Sequence, residues 1–116
     1  MQVRLVPSLQ LGDRIVGPTT DAAANWALYH RYAKRLQARL GIGFQVYVDK
    51  SEGYDLLTAP EYDTETCWVV ANTVYQALTN DLLTHHRIMA ITDQAVILKD
   101  TGSVEQQLKS TPPSPR

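Results

Sequence analysis

The residues best suited to covalent chemistry are a single cysteine and three histidines. Cys67 could act as a nucleophile if His30, His85 or His86 lay beside it, because a neighbouring base or positive group promotes thiolate formation. No motif brings these residues together. Cys67 instead falls on the apolar face of a predicted helix, and a free cysteine usually packs as a small hydrophobic side chain. The sequence therefore favours a structural thiol.

Metal ligands are the next possibility. His85 and His86 are adjacent, so their side chains point in different directions on a helix or a strand and form a poor pair of ligands. The acids between positions 49 and 65 lack the alternate spacing, central glycine and terminal glutamate of a calcium loop. We predict no metal site.

Glycine-rich phosphate loops are also absent from the sequence pattern. Gly41 and Gly43 lack the third glycine of a dinucleotide fingerprint, and they follow a predicted helix where that fingerprint follows a strand. Helix termination explains them. We therefore expect no cofactor and no catalytic residue, and the leading interpretation is that the protein is not an enzyme.

Charge is divided into two blocks of opposite sign, although the net charge is only -1. This balance gives no bulk attraction to nucleic acid or to an anionic membrane. Between positions 22 and 48 every charge is positive, and between 49 and 65 all but one are negative. A helix that presents only cations could contact a protein or lie along phosphates. The positive residues are Arg31, Lys34, Arg35 and Arg39, and the negative ones are Asp49, Glu52, Asp55, Glu61, Asp63 and Glu65.

Two further groups suggest contact with a partner. Tyr47 and Tyr54 flank a predicted hairpin loop, and tyrosine is one of the residue types that anchor protein interfaces. Pro112, Pro113 and Pro115 stiffen the C-terminal segment, and an extended proline-rich arm loses little conformational entropy when it docks.

These residues must be positioned by a few elements. Residues 2–6 and 9–16 predict two short strands. Thr19, Thr20 and Asp21 offer capping oxygens to a helix that ends at Leu40, with Gly41 as its left-handed cap. The apolar spacing of three and four places one group of side chains on a single face: Trp26, Tyr29, Ala33, Leu36 and Leu40.

The second half of the chain predicts two hairpins around a second helix. Residues 44–48 and 54–58 form the first hairpin, and residues 88–92 and 95–99 form the last. The helix between them is capped by Asp63 or Thr64 and extends to Leu82. Residues 79–81 either break this helix or cap a continuation toward His86. Residues 66–70, however, are rich in β-branched and aromatic side chains, so a strand is an alternative there.

The predicted fold class is α+β, with a small antiparallel sheet of about five to six strands and two helices packed on it. We expect a single domain over residues 1–100 and a polar, proline-rich tail or arm over 101–116. Apolar runs are far shorter than the ~20 residues that span a bilayer, and no secretory leader is recognisable. The expected location is the cytoplasm, or a virus particle assembled there.

The function expected from these features is non-enzymatic protein–protein contact in an assembly. The partner would be another protein or a second copy of the chain, and a small structural component of a particle such as a bacteriophage neck or tail would fit. One alternative is a nucleic-acid-binding regulator that uses the basic helix face. A second is a small enzyme without a recognisable motif.

Overall fold

The computed structural model describes residues 1–60 and 65–110. Six strands and six helices follow one another in this part of the chain. In order they are β1 (Gln2–Val6), β2 (Leu9–Leu11), β3 (Arg14–Val16), α1 (Ala22–Leu40), β4 (Gln45–Val48), α2 (Tyr54–Leu57), β5 (Thr66–Ala71), α3 (Asn72–Ala77), α4 (Asn80–His85), β6 (Arg87–Ile91), α5 (Asp93–Ile97) and α6 (Gly102–Ser110).

The main sheet is parallel, so the predicted antiparallel sheet with two helices is wrong. Its four strands lie in the order β4-β1-β5-β6, and every neighbouring pair is parallel. Antiparallel pairing among the described residues is confined to the hairpin of β2 and β3. The sequence of a short apolar strand does not show whether the strand pairs in parallel or antiparallel, because side chains alternate between the two faces in both kinds of sheet.

The central strand β5 accounts for much of this error. All six of its residues are buried, and a strand covered on both faces has a continuous apolar run in place of an alternating one. Some apolar residues of this run also have the spacing of one helix face, which led to the predicted helix that reached Leu82. The strand alternative for residues 66–70 is confirmed, and helical structure begins only at Asn72.

The two predicted return strands are helices. Gly53, at φ 88°, leads into the short helix α2, where residues 54–58 were predicted to pair with β4. Thr92 caps α5 by accepting a hydrogen bond from the amide of Ala95 at 3.1 Å, where the last hairpin was predicted. The strands β4 and β6 lie where strands were expected, but each pairs in parallel with a neighbour distant in sequence.

Helix α1 follows the prediction closely. Asp21 caps it by accepting from the amides of Ala23 and Ala24, and Gly41 ends it at φ 84°. The predicted apolar stripe is buried except for Trp26, which is half-buried. Tyr32, which follows Arg31 on this helix, is also fully buried, and its hydroxyl donates to the carbonyl of Asp100 at 3.0 Å.

The C-terminal part begins with a helix within the segment expected to be an arm. Val104 and Leu108 of α6 are each only 4% exposed and belong to the core, and α6 contacts α1. The prolines of the predicted arm, Pro112, Pro113 and Pro115, lie outside the described residues. Within the part of the chain described, no helix has the length and hydropathy needed to cross a bilayer.

Candidate interaction surface

The sheet ends at β4, whose outer edge is only partly covered. The amides of Gln45 and Asp49 donate to the carbonyls of Met1 and Leu5 at 3.0 and 2.8 Å. In a parallel pair alternate residues bond to the same neighbour, so positions 45, 47 and 49 face β1. The backbone groups of Val46 and Val48 therefore point away from the sheet.

The first part of this edge is closed by one side chain of α1. The Gln37 amide donates from Nε2 to the Phe44 carbonyl at 2.8 Å, and its Oε1 accepts from the Val46 amide at 2.9 Å. These two bonds imitate those of a neighbouring strand. They leave the Val46 carbonyl and both backbone groups of Val48 on the open part of the edge.

Helix α1 borders this open edge with one stripe of side chains. Gln37, Lys34, His30 and Trp26 are spaced three, four and four apart, so they lie on one face of the helix. Trp26 stacks on His30 with ring centroids 4.6 Å apart. The stripe runs from Gln37, beside Val46, to Trp26, beside Lys50. The ammonium nitrogen of Lys50 lies 5.7 Å from the centroid of the Trp26 ring.

The stripe and the strand enclose a groove of about 500 Å³, which we call the edge groove. From Trp26 to Gln37 the helix rises about 16 Å at ~1.5 Å per residue, and from Gln45 to Lys50 the strand spans about 16 Å at ~3.3 Å per residue. Of the described residues, those that line the groove include two lysines and no acid: Trp26, His30, Ala33, Lys34, Gln37, Val46, Tyr47, Val48 and Lys50.

The four predicted cations of α1 are all exposed. Arg31, Lys34 and Arg35 form no ion pair with any residue in the described ranges, whereas Arg39 lies 3.4 Å from Glu105. Arg31 is three residues from Lys34 and four from Arg35, so these three side chains are neighbours on the helix surface. Lys34 also lines the edge groove, so the groove adjoins these three cations.

The two predicted tyrosines are exposed but separate. Tyr47 is 48% exposed and lines the edge groove, whereas Tyr54 is 66% exposed on α2 and does not line it. Gln37, His30 and Lys50 were missed as site residues. The spacing from Trp26 to Gln37 carries the signal in the sequence, but a mixed polar and aromatic stripe becomes a groove wall only once a neighbouring strand is known.

The candidate nucleophile is poorly placed for chemistry. Burial raises the pKa of the Cys67 thiol to about 11, and the nearby Arg87 guanidinium only partly opposes this. Cys67 is paired with Arg87 across the sheet, and paired residues project to the same face, so His86 projects to the opposite face. His30 lies in the edge groove, and His85 is exposed on α4 with Nδ1 2.8 Å from the carbonyl oxygen of Asp81.

Metal ligands are not grouped among the residues that the structure describes. Over residues 1–60 and 65–110, no cluster of three or more histidine, cysteine, aspartate and glutamate side chains could hold an ion. Two of the described acids of the negative block make local contacts, and one of them, Asp55, lies 3.0 Å from Arg4. Asp49 is 2% exposed and accepts from Ser51 Oγ at 2.6 Å and from the Gly53 amide at 2.9 Å.

The carboxyl end of the sheet, where open parallel sheets bind ligands, is a weaker candidate site than the edge groove. A cleft of about 450 Å³ lies there between the start of α1 and the loop after β4. Its most buried acid, Asp49, already accepts hydrogen bonds from Ser51 and Gly53 of that loop. Next to it Gly17 packs so tightly that an added Cβ would lie 2.8 Å from the Pro7 carbonyl oxygen and from Asn25 Nδ2. The chain itself thus fills the space between Pro7 and Asn25 beside the cleft.

Comparisons with protein-family models, with curated proteins and with solved structures gave no match to this chain.

Proposed function

We propose that this protein is a non-enzymatic interaction subunit that binds an acidic segment of a partner protein. One observation carries the proposal: three exposed cations of α1 without ion-pair partners among the described residues adjoin the open edge groove. Exposed like charges repel one another and weaken a compact state slightly. An acidic partner would remove that repulsion on binding.

A protein partner suits this surface better than a nucleic acid. Single strands are usually held by several aromatic side chains interleaved with cations, but Tyr32 is buried and Trp26 is stacked on His30, so of these three aromatic residues only Tyr47 could stack on a base. The groove is also about as long as a five-residue extended peptide, at ~3.3 Å per residue. Tyr47 at its margin adds the kind of side chain that anchors a protein contact.

Charge reversal tests the proposal. The variant Lys34→Glu, Arg35→Glu should bind a fluorescent glutamate-rich peptide about tenfold more weakly than the native chain, since two attractive contacts become repulsive. The control Arg14→Glu, Lys99→Glu changes the net charge equally but lies outside α1, and it should keep most of the affinity. Fluorescence anisotropy measures both.

Two results would contradict the proposal. One is the absence of peptide binding by the native chain even at low salt. The other is a single-stranded oligonucleotide of similar charge that binds more tightly than the peptide and loses its affinity in the same α1 variant. That second result would assign the surface to nucleic acid.

A further inference from the structure

The open edge of β4 provides a specific mode of binding. We infer that the partner segment adds to the sheet as an extra strand beside Val46 and Val48, with acidic side chains directed to Lys34 and Lys50. This inference rests on the proposed function, since it describes how the acidic segment would be held. Strand addition uses the unpaired backbone groups of a sheet edge for affinity and the flanking side chains for selectivity.

The backbone geometry supports this mode. The amides of Gln45 and Asp49 bond inward, toward β1. Because successive residues face opposite edges, the Val46 carbonyl and the amide and carbonyl of Val48 face outward. Gln37 already makes strand-like bonds to Phe44 and Val46, so the edge has the geometry that accepts such bonds. An incoming strand would bond to the next groups along the edge, which are the Val46 carbonyl and the amide and carbonyl of Val48.

The flanking side chains decide the chemistry of the occupant. Lys34 and Lys50 are exposed, and the described lining residues include no acid. A second copy that paired through its own β4 would bring two sets of these lysines together, which is unfavourable. An extended segment with acids at alternate positions would instead face the lysines with opposite charge.

A backbone change separates strand addition from simple charge attraction. Val48→Pro removes an outward-facing amide, and proline is tolerated at edge positions whose amide does not bond within the sheet. The control Val48→Thr keeps the amide and the β-branched shape. A fluorescent peptide of alternating glutamate and valine, about seven residues long, is the probe; at ~3.3 Å per residue it extends past both ends of the groove.

We expect Val48→Pro to weaken peptide binding about tenfold, with little change for Val48→Thr, because only the former loses a backbone bond at the edge. The peptide provides a second test that needs no mutation. Methylation of the backbone nitrogens on the edge of the peptide that pairs with β4 should weaken binding to the native chain similarly. The methylated peptide keeps its glutamates but loses the backbone donors on that edge.

Each result bears on a different claim. If Val48→Pro and the methylated peptides bind as tightly as the unmodified pair, while the α1 charge reversal still weakens binding, strand addition is overturned and the interaction function stands. If the native chain does not bind the unmodified peptide, both proposals fail. If Val48→Pro does not fold, the methylated peptides alone decide.

Discussion

Single residues determine where this surface is open and where it is closed. Gln37 is the clearest case, because its amide bonds to Phe44, Val46 and also to the Gly41 carbonyl at 3.1 Å. One side chain thus closes the end of α1 and the first part of the β4 edge. The sequence places Gln37 on one helix face with Trp26, but it does not reveal the hydrogen-bond partners of the amide, since these are set by the loop and the strand that follow.

Removal of the Gln37 amide should destabilise the fold. We expect Gln37→Ala to lower the free energy of unfolding by about 1 to 3 kcal/mol, because three hydrogen bonds at ~0.5 to 1.5 kcal/mol each are lost and water replaces some of them. Guanidinium denaturation measures the change. The exposed neighbour Ala38 gives the control, Ala38→Gln, which should change stability by less than about 0.5 kcal/mol. Equal stability of both variants would contradict the capping role.

Cys67 should be inert in the folded protein. Its buried thiol has a pKa of about 11, so at about pH 8 little thiolate is present and the sulfur is covered. A thiol reagent such as dithionitrobenzoate should react orders of magnitude more slowly with the native chain than with the chain in guanidinium. Rapid reaction of the native chain would contradict the buried placement and would restore the cysteine as a candidate nucleophile.

The helix α6 gives a test of packing at the element scale. Leu108 is 4% exposed and Leu98 is 66% exposed. Leu108→Ala should therefore cost about 2 to 4 kcal/mol of unfolding free energy, the usual range for a buried leucine. The matched control, Leu98→Ala, should cost less than about 1 kcal/mol. Similar losses in the two variants would contradict the packing of α6 against the core.

The contact between α1 and α6 also predicts a pH dependence. The Thr101 hydroxyl, 2.5 Å from Glu105 Oε2, and the Arg39 guanidinium hold the pKa of Glu105 below its usual value. A depressed carboxyl pKa stabilises the folded state above the unfolded pKa, and this stabilisation is lost as the pH falls through the folded pKa. Stability should therefore fall on acidification below about pH 4.3, the ordinary pKa of a glutamate.

Substitution isolates this contribution. The variant Glu105→Gln should lose less stability between about pH 7 and about pH 3 than the native chain, because it has no carboxylate to protonate at that position. Thermal melts at both pH values measure the difference. Asp13→Asn, at an exposed hairpin position, is the control. An acid dependence that Glu105→Gln leaves unchanged would contradict the contact.

Local signals predicted some elements and failed for others. Helix α1 was predictable because Asp21, Gly41 and the apolar stripe all mark the same boundaries. The strand β5 was ambiguous because burial on both faces removes its alternation. The direction of the sheet could not be predicted, since the described helices between β4 and β6, which are α2, α3 and α4, contain only four to six residues and lack the periodicity that identifies a crossover helix.

At the scale of the whole molecule, the topology decides which predicted residues act together. The cations of α1 were predicted to be contact residues from charge alone; they are exposed, and their contact role stays a prediction. The edge groove was not predictable, because it depends on β4 being the outer strand of a parallel sheet. In the predicted hairpin, a partner strand would have covered the same edge.

Long-range electrostatics should control association. The Debye length shortens from ~30 Å at 0.01 M salt to ~3 Å at 1 M salt, so contacts between exposed charges are largely screened at the higher concentration. We expect the affinity for the glutamate-containing peptide to fall by about an order of magnitude or more over this range. An affinity that is independent of salt would contradict a charge-based surface. Stopped-flow association rates at each salt concentration would show the same trend.

The most direct test is to locate the bound peptide by nuclear magnetic resonance. On titration of the isotope-labelled chain with the alternating glutamate and valine peptide, the largest amide shifts should fall in residues 30–37 and 45–50. Shifts concentrated at the carboxyl end of the sheet, around Ser8, Asn25 and Thr92, would place binding elsewhere and contradict the proposed surface.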